Sequence, residues 1–187
     1  YGTIRIMEYL DLRPLLQAPK WIVGFSDVTV LHNALTNLGL ASLHGQMPFA
    51  IGGKSEACRE GLRRVLMQNV ADYQVGVVHG MVSPARNHHS SPTSEARAYN
   101  RPGQCDAILV GGNLSILYSL RGTRYDIDPR GRILFLEDLD ELRYHADRMI
   151  QNLKHGGWFG NLAGLVVGAM SEMRDKNPDD PFGMEVE

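Results

Sequence analysis

Two side chains in this 187-residue sequence stand where chemistry could be done: Ser26 at a strand-to-helix turn, and Glu137 behind a second strand. Residues Trp21-Ile22-Val23-Gly24-Phe25 form a short apolar run that suits a buried strand. From Val28 onward, apolar residues recur at Leu31, Leu35 and Leu38 with Ala34 beside them, the spacing of one helix face. Ser26 falls between the two. Such a hydroxyl stands above a sheet edge, beside the first N–H groups of a helix that lack an internal acceptor. The same position suits a plain N-cap, with Asp27 favoured by the positive end of the helix dipole. The elbow pattern G-x-S-x-G is met at Gly24 and Ser26, while Val28 occupies its last position. On these residues alone, cap and nucleophile both stand.

The run Ile133-Leu134-Phe135-Leu136 reads as a strand leading into Glu137-Asp138-Leu139-Asp140-Glu141. Asp138 and Glu141 have the spacing of a capping box, which predicts a helix through Lys154. With those two engaged, Glu137 is the spare acid at a strand's carboxyl end, where sites gather in α/β proteins. A capping or salt-bridged glutamate is the alternative. Upstream, Asp106 to Val110 reads as a buried strand, and Gly111-Gly112-Asn113-Leu114-Ser115 turns from it into a helix through Leu120. Paired glycines there let a ligand approach the backbone, or simply make a tight turn.

The elements that must position these groups alternate between strand and helix. Tyr1 to Arg5 leads into a short helix with Ile6, Met7 and Leu10 apolar, ended near Arg13-Pro14; the helix after Ser26 stops at Gly39; Ala41 to Pro48 is a brief strand and turn. Ser55 to Met67 is helical, with Ala57, Cys58, Leu62, Val65 and Leu66 on its inner face. This alternation is the mark of an α/β fold. The pattern changes near residue 72. Tyr73 to His79 is rich in strand formers, Ser83 to Gln104 reads as a long polar surface loop, and Leu162 to Ala169 as a last buried strand. Two domains are therefore expected, over residues 1–72 and 73–187.

Composition excludes several functions. A formal net charge of -2 gives no footing for a nucleic-acid or anionic-membrane partner, and no apolar run reaches the length of a membrane span. Cys58 and Cys105 are too few for a disulfide framework or a zinc knuckle, which fits a reducing, cytoplasmic setting. His88-His89 lack a third ligand at metal spacing and read as solvated loop; no metal or cofactor is expected. His32, His79, His145 and His155 read as surface positions on helices or strands, and His44 as a residue of a turn beside Gly45. The chain opens at Tyr1 and closes on Glu185-Val186-Glu187, which reads as a piece cut from a longer protein.

Tyr1-Gly2-Thr3-Ile4-Arg5, Gly24-Phe25-Ser26-Asp27-Val28-Thr29, His44-Gly45, Gly111-Gly112-Asn113-Leu114-Ser115 and Ile133-Leu134-Phe135-Leu136-Glu137-Asp138 occur in that order. In this the chain resembles the LD-carboxypeptidases (muramoyltetrapeptide carboxypeptidases) and the related microcin-immunity serine peptidases. The resemblance implies a flavodoxin-like, glutamine-amidotransferase-like N-terminal domain followed by a swivelling β/β/α C-terminal domain, both incomplete here. It also implies a Ser–Glu–His triad that removes terminal D-alanine from a peptidoglycan tetrapeptide during cytoplasmic wall recycling. Matched to the family's motifs, Ser26 is the nucleophile and Glu137 the triad carboxylate. The backbone N–H of Asp27 is one oxyanion donor, and Gly2 the other. Gly112, Asn113 and Arg5 are candidates for holding the substrate's terminal carboxylate. The family's histidine falls beyond Glu187, so the piece alone is expected to be inactive. The implied partners are a muropeptide and a second copy of the protein. Two other readings stay open: a microcin-immunity-type peptidase acting on aminoacyl-nucleotide amides, and a non-catalytic muropeptide-binding module.

Overall fold

The computed structural model describes residues 1–68, 101 and 103–182. They form two units, one from the described residues of Tyr1–Gly76 with Gly111–Ile127, the other from those of Val77–Val110 with Asp128–Glu187. The predicted β-rich run at 73–79, His79, His88-His89 and nearly all of the 83–104 loop lie outside the described residues.

In chain order the helices are α1 (Thr3–Ile6), α2 (Pro14–Gln17), α3 (Thr29–Asn37), α4 (Pro48–Ile51), α5 (Glu56–Met67), α6 (Leu114–Ser119) and α7 (Arg143–His155). The strands are β1 (Val23–Gly24), β2 (Leu43–His44), β3 (Leu109–Asn113), β4 (Ile133–Leu139) and β5 (Gly164–Ser171). The fold is thus a mixture of helices and strands, with parallel pairing in both sheets.

The first unit is built around α3. Strands β1 and β2 pair in parallel, Val23 with Leu43 and Gly24 with His44, and α3 is the crossover between them. No Asp, Glu, Lys or Arg occurs between Asp27 and Lys54, so α3 has no face that requires water. Thr29, Val30, His32, Asn33, Ala34 and Leu35 are all buried. Val30 and Ala34 share a core with Met7 and Leu120, and Ile4, Leu12, Leu31, Ile116 and Tyr125 pack against it. The helix ends as the sequence predicts. Gly39 takes φ 77°, its N–H donates to the Thr36 carbonyl and the Leu40 N–H to that of Leu35, which satisfies the last carbonyls of α3.

Polar contacts hold the distant segment 111–127 on this helix. Asn33 Nδ2 donates to the Tyr125 carbonyl at 3.2 Å, and Asn37 Nδ2 to that of Asp126 at 3.0 Å. At the other end of α3, the Asn113 N–H donates to Thr29 Oγ1 at 3.1 Å. Gly112 lies against the same threonine with φ 143°, and a methyl group there would come within 2.6 Å of Thr29 Oγ1. Only glycine fits.

In the second unit β4 and β5 pair in parallel, with α7 as their connection. Leu134, Leu136 and Asp138 lie buried on one face of β4. Ala146, Met149 and Leu153 form the buried stripe of α7. Three sequence expectations need correction. Ile108 and Leu109 are 65% and 61% exposed, so the run before the glycines is not a buried strand, Val110 excepted. Leu165, Val166 and Val167 are exposed on β5, the outer strand of the described sheet. Asp138 and Glu141 form no capping box, because the ladder continues to Leu139 opposite Ser171 and α7 begins only at Arg143. Ser55 does cap its helix, accepting from the Cys58 N–H at 3.3 Å, but the face below it is only half-buried and Ala57 is exposed.

The Gly112–Thr29 contact yields a stability test. Gly112→Ala combines overpacking with a backbone that L-residues avoid, and should cost about 2 kcal/mol or more. A urea midpoint equal to that of the parent protein would contradict the fit.

Candidate active site

Ser26 opens a single 3-10 turn, Ser26–Val28, that runs directly into α3. Its φ is 56°, left-handed, an uncommon conformation for a residue with a Cβ and one that costs on the order of 1–2 kcal/mol. The residue is exposed, and among the described residues its hydroxyl makes no hydrogen bond. A capping serine would have extended backbone and would accept from an N–H two or three residues on. Here Phe25 is the extended residue, and neither the 3-10 turn nor α3 has a side-chain cap. Between the two readings of Ser26, its geometry favours the aimed hydroxyl.

Gly24 makes the sharp turn possible. A methyl group at residue 24 would lie 2.7 Å from Val28 Cγ2, so the strand end and the turn close on each other only with glycine there. Val28, the residue that spoils the full elbow pattern, is the side chain that fills this contact.

Asp27 fixes the turn to the start of the chain. Its Oδ2 accepts from the Thr3 N–H at 2.8 Å and from the Thr3 hydroxyl at 2.7 Å. Burial works against the charged carboxylate, but the two Thr3 bonds, together with the Tyr1 amino group 3.7 Å away, hold its pKa below the usual value. The backbone N–H of Asp27 stands in the first turn, where helix N–H groups lack an intrahelical acceptor. Gly2, with φ 143°, precedes α1 beside Thr3. Arg5 is exposed, its guanidinium 5.2 Å from the centre of the Tyr1 ring.

The first unit therefore gathers three predicted segments at the head of α3. Thr3 brings the Gly2 segment to Asp27, and Thr29 brings Gly112-Asn113. Asn113 has a structural task within this cluster: its Oδ1 accepts from the Ile116 N–H at 3.1 Å, capping α6, and from the Ser115 hydroxyl at 2.9 Å.

Two histidines lie beneath the turn. His32, expected on the surface, is 5% exposed, because α3 is enclosed nearly all round. Its Nε2 lies 3.0 Å from the Gly24 carbonyl and its Nδ1 2.8 Å from Ser42 Oγ. Burial pushes its pKa down, partly offset by the bond to Gly24. His44 is half-buried, with its ring centre 5.8 Å from that of His32; burial, then the neighbouring His32, push it down to about 4. Both imidazoles are neutral at pH 7. The signal that could have placed His32 inside is the missing charge over the whole stretch from Val28 to Gly53.

Glu137 belongs to the second unit. It sits within β4, two residues short of the strand's end, half-buried on the face opposite Leu134, Leu136 and Asp138. The ladder is irregular at this residue. Leu136 pairs with Val167 and Asp138 with Met170, so Gly168 and Ala169 together oppose Glu137. Irregularities of this kind re-aim side chains. A methyl group on Gly168 would lie 3.0 Å from Phe135 Cε2 and 3.2 Å from Glu137 Cβ, so glycine keeps the space beside the carboxylate open. His145, in the first turn of α7, pairs at 3.1 Å with Glu141, which precedes the helix, and His155 is exposed. Among the described residues no cluster of three or more His, Cys, Asp or Glu is placed to hold a metal ion, and no helix is long and apolar enough to cross a membrane.

Comparison with known proteins gives matches along most of the chain. Residues 1–45 match the LD-carboxypeptidase N-terminal domain and residues 106–186 the LD-carboxypeptidase C-terminal domain, together well over half of the sequence. A probable murein peptide carboxypeptidase of Bacillus subtilis is 34% identical over 171 residues, covering 89% of this chain and 48% of the relative. The crystal structure of muramoyltetrapeptide carboxypeptidase from Oxalobacter formigenes superposes with a TM-score of 0.68 at 29% identity, over 93% of this chain and 54% of that one. The microcin C7 self immunity protein MccF, in complex with aspartyl sulfamoyl adenosine, shares the fold at 21% identity and a TM-score of 0.65, over 91% of this chain and 55% of that one. The chain spans about half the length of the curated relatives it matches.

The carboxylate at the turn gives a pH test with a definite sign. The pKa of Asp27 is lower in the folded chain than in the unfolded one, so on acidification the unfolded chain takes up the proton first. Its contribution to stability is complete above the ordinary carboxylate value, near ~4, and is lost as pH falls through the depressed folded value. Unfolding midpoints measured in urea across this range should fall with pH, and Asp27→Asn should flatten that fall. An identical acid response in the variant would contradict the assignment.

Proposed function

The chain belongs to the LD-carboxypeptidase family, and from that premise we propose that the protein containing it is a serine-type carboxypeptidase. Its reaction is cleavage of the L,D-amide bond that holds the terminal D-alanine of a peptidoglycan tetrapeptide, as part of cytoplasmic wall recycling. The observation that carries this reading is the exposed, left-handed Ser26 at the head of α3, with no capping duty to account for it.

Amide cleavage needs an activated nucleophile, a proton for the leaving amine and a place for charge on the carbonyl oxygen. Ser26 Oγ attacks the carbonyl while a histidine outside this chain takes its proton and returns it to the amine of the departing D-alanine; water, deprotonated by the same imidazole, then hydrolyses the Ser26 ester and restores the hydroxyl. Glu137 orients that imidazole and stabilises its charged form. The N–H groups of Asp27 and Gly2 receive the oxyanion, helped by the positive end of α3. Gly112, Asn113 and Arg5 hold the terminal carboxylate, the Arg5 guanidinium being exposed beside the Tyr1 ring. The nucleophile is assigned to a flavodoxin-like domain that includes residues 1–72, Glu137 to a swivelling domain within residues 73–187, and the working unit to a homodimer.

In the full-length protein, Ser26→Ala should lower kcat for D-alanine release from a tetrapeptide by roughly a thousand-fold or more. Glu137→Gln should cost less, roughly ten- to ten-thousand-fold, since it disturbs orientation and not bond making. Near-normal turnover by Ser26→Ala would remove this serine from the mechanism. An aminoacyl-nucleotide amide, run as a second substrate, should be cleaved far more slowly than the tetrapeptide.

A further inference from the structure

Under the Ser26 turn lies a buried polar relay that the catalytic assignment leaves unused. Gly24, two residues before Ser26, offers a carbonyl oxygen that accepts two hydrogen bonds. One comes from the Gly45 N–H at 3.0 Å and belongs to the β1–β2 pairing. The other comes from His32 Nε2 at 3.0 Å, a side chain on the second turn of α3. A carbonyl only accepts, so Nε2 carries the proton. In a neutral ring Nδ1 is then an acceptor, and the Ser42 hydroxyl, 2.8 Å away, donates to it. The Gly24 carbonyl sets the tautomer, and the Ser42 hydroxyl, able to donate or accept, suits it.

This arrangement has a geometric consequence for the serine. The left-handed φ of Ser26 is unfavourable by itself and persists only if the flanking backbone is over-determined. Downstream, the backbone is held by α3 itself and by the Asp27–Thr3 bonds. Upstream, it leaves β1 through the peptide that His32 grips. Because His32 belongs to α3, the bond ties the strand before the turn to the helix after it, across Ser26. An apolar side chain of the same size would fill the space but could not hold the carbonyl. The Gly24 oxygen would still accept from Gly45, so the gain from His32 lies in orientation more than in polar satisfaction.

We propose that His32 is a positioning residue for Ser26: it acts through the Gly24 carbonyl to fix the backbone that aims the nucleophile. The assignment rests on Ser26 being the nucleophile. Burial of the ring favours its uncharged form, which keeps the relay in one state.

The test uses the full-length protein and tetrapeptide turnover, with kcat and KM measured separately. His32→Phe keeps bulk and removes both hydrogen bonds; it should lower kcat roughly ten- to a hundred-fold, as expected for a displaced nucleophile, with KM within about twofold. His32→Gln can still present an N–H to Gly24 and should recover most of that loss. Asn37→Ala, which cuts the tie of α3 to Asp126 further along, is the control for general loosening of the helix and should retain kcat. Equal loss of kcat in Asn37→Ala, or no recovery in His32→Gln, would reduce His32 to a structural residue and overturn the proposal. Where His32→Phe fails to fold, Ser42→Ala removes the partner on Nδ1 and should give a smaller kcat loss; unchanged kcat there would equally overturn it. Ser26→Ala runs alongside. An inactive Ser26→Ala with a fully active His32→Phe defeats the positioning role alone, while an active Ser26→Ala defeats the nucleophile itself.

Discussion

A left-handed residue between a strand and a helix has to be held there, and at Ser26 the surrounding contacts supply the hold. The conformation costs on the order of 1–2 kcal/mol, comparable to one or two net hydrogen bonds. Against that cost stand the close approach of Gly24 to Val28, the two Thr3 bonds to Asp27 and the His32 bond to the Gly24 carbonyl. Two of these are local, within residues 24–32, and the third reaches in from Thr3 at the start of the chain. The turn is therefore rigid by construction, and rigidity is what a group that must meet a carbonyl at a fixed angle requires.

The polar residues around α3 follow from the same requirement. A helix needing only stability could bury leucine at positions 29, 32 and 33, where Thr29, His32 and Asn33 are found instead. Every one of these has a directed partner: Thr29 the Asn113 N–H, His32 the Gly24 carbonyl, Asn33 the Tyr125 carbonyl. Apolar contacts bring the segments together, and the hydrogen bonds decide where each one stops. In this way residues 2–3 and 112–113, far apart in sequence, come to the head of the helix that begins behind Ser26. In the second unit, Glu137 meets a comparable constraint from the irregular β4–β5 register and from Gly168.

What the sequence made legible was mostly local. The strand-to-helix turn, the stop of α3 at Gly39 and the helix that follows Ser55 depend on neighbours a few residues away, and their chemistry is visible in the residue types. Non-local packing was not visible. Asp138 and Glu141 have the spacing of a capping box, yet pairing with a strand about thirty residues downstream keeps Asp138 in β4. The apolar runs at 106–110 and 162–169 suggested burial, but Ile108, Leu109 and Leu165 to Val167 are exposed in the described sheet. His32 was misplaced because a helix with polar residues ordinarily shows them to water. The long uncharged stretch around it was the countersign. For the proposed site, the motifs singled out Ser26 and Glu137 as candidates, whereas the left-handed φ of Ser26 and the relay beneath it required coordinates.

Covalent trapping addresses the central claim most directly. Full-length protein would be treated with an active-site-directed fluorophosphonate, digested, and the adduct located by peptide mass spectrometry. One modified peptide, bearing the adduct on Ser26 and absent from a Ser26→Ala sample, is the result expected of an aimed nucleophile. An adduct on some other serine, with residue 26 unmodified, would contradict it.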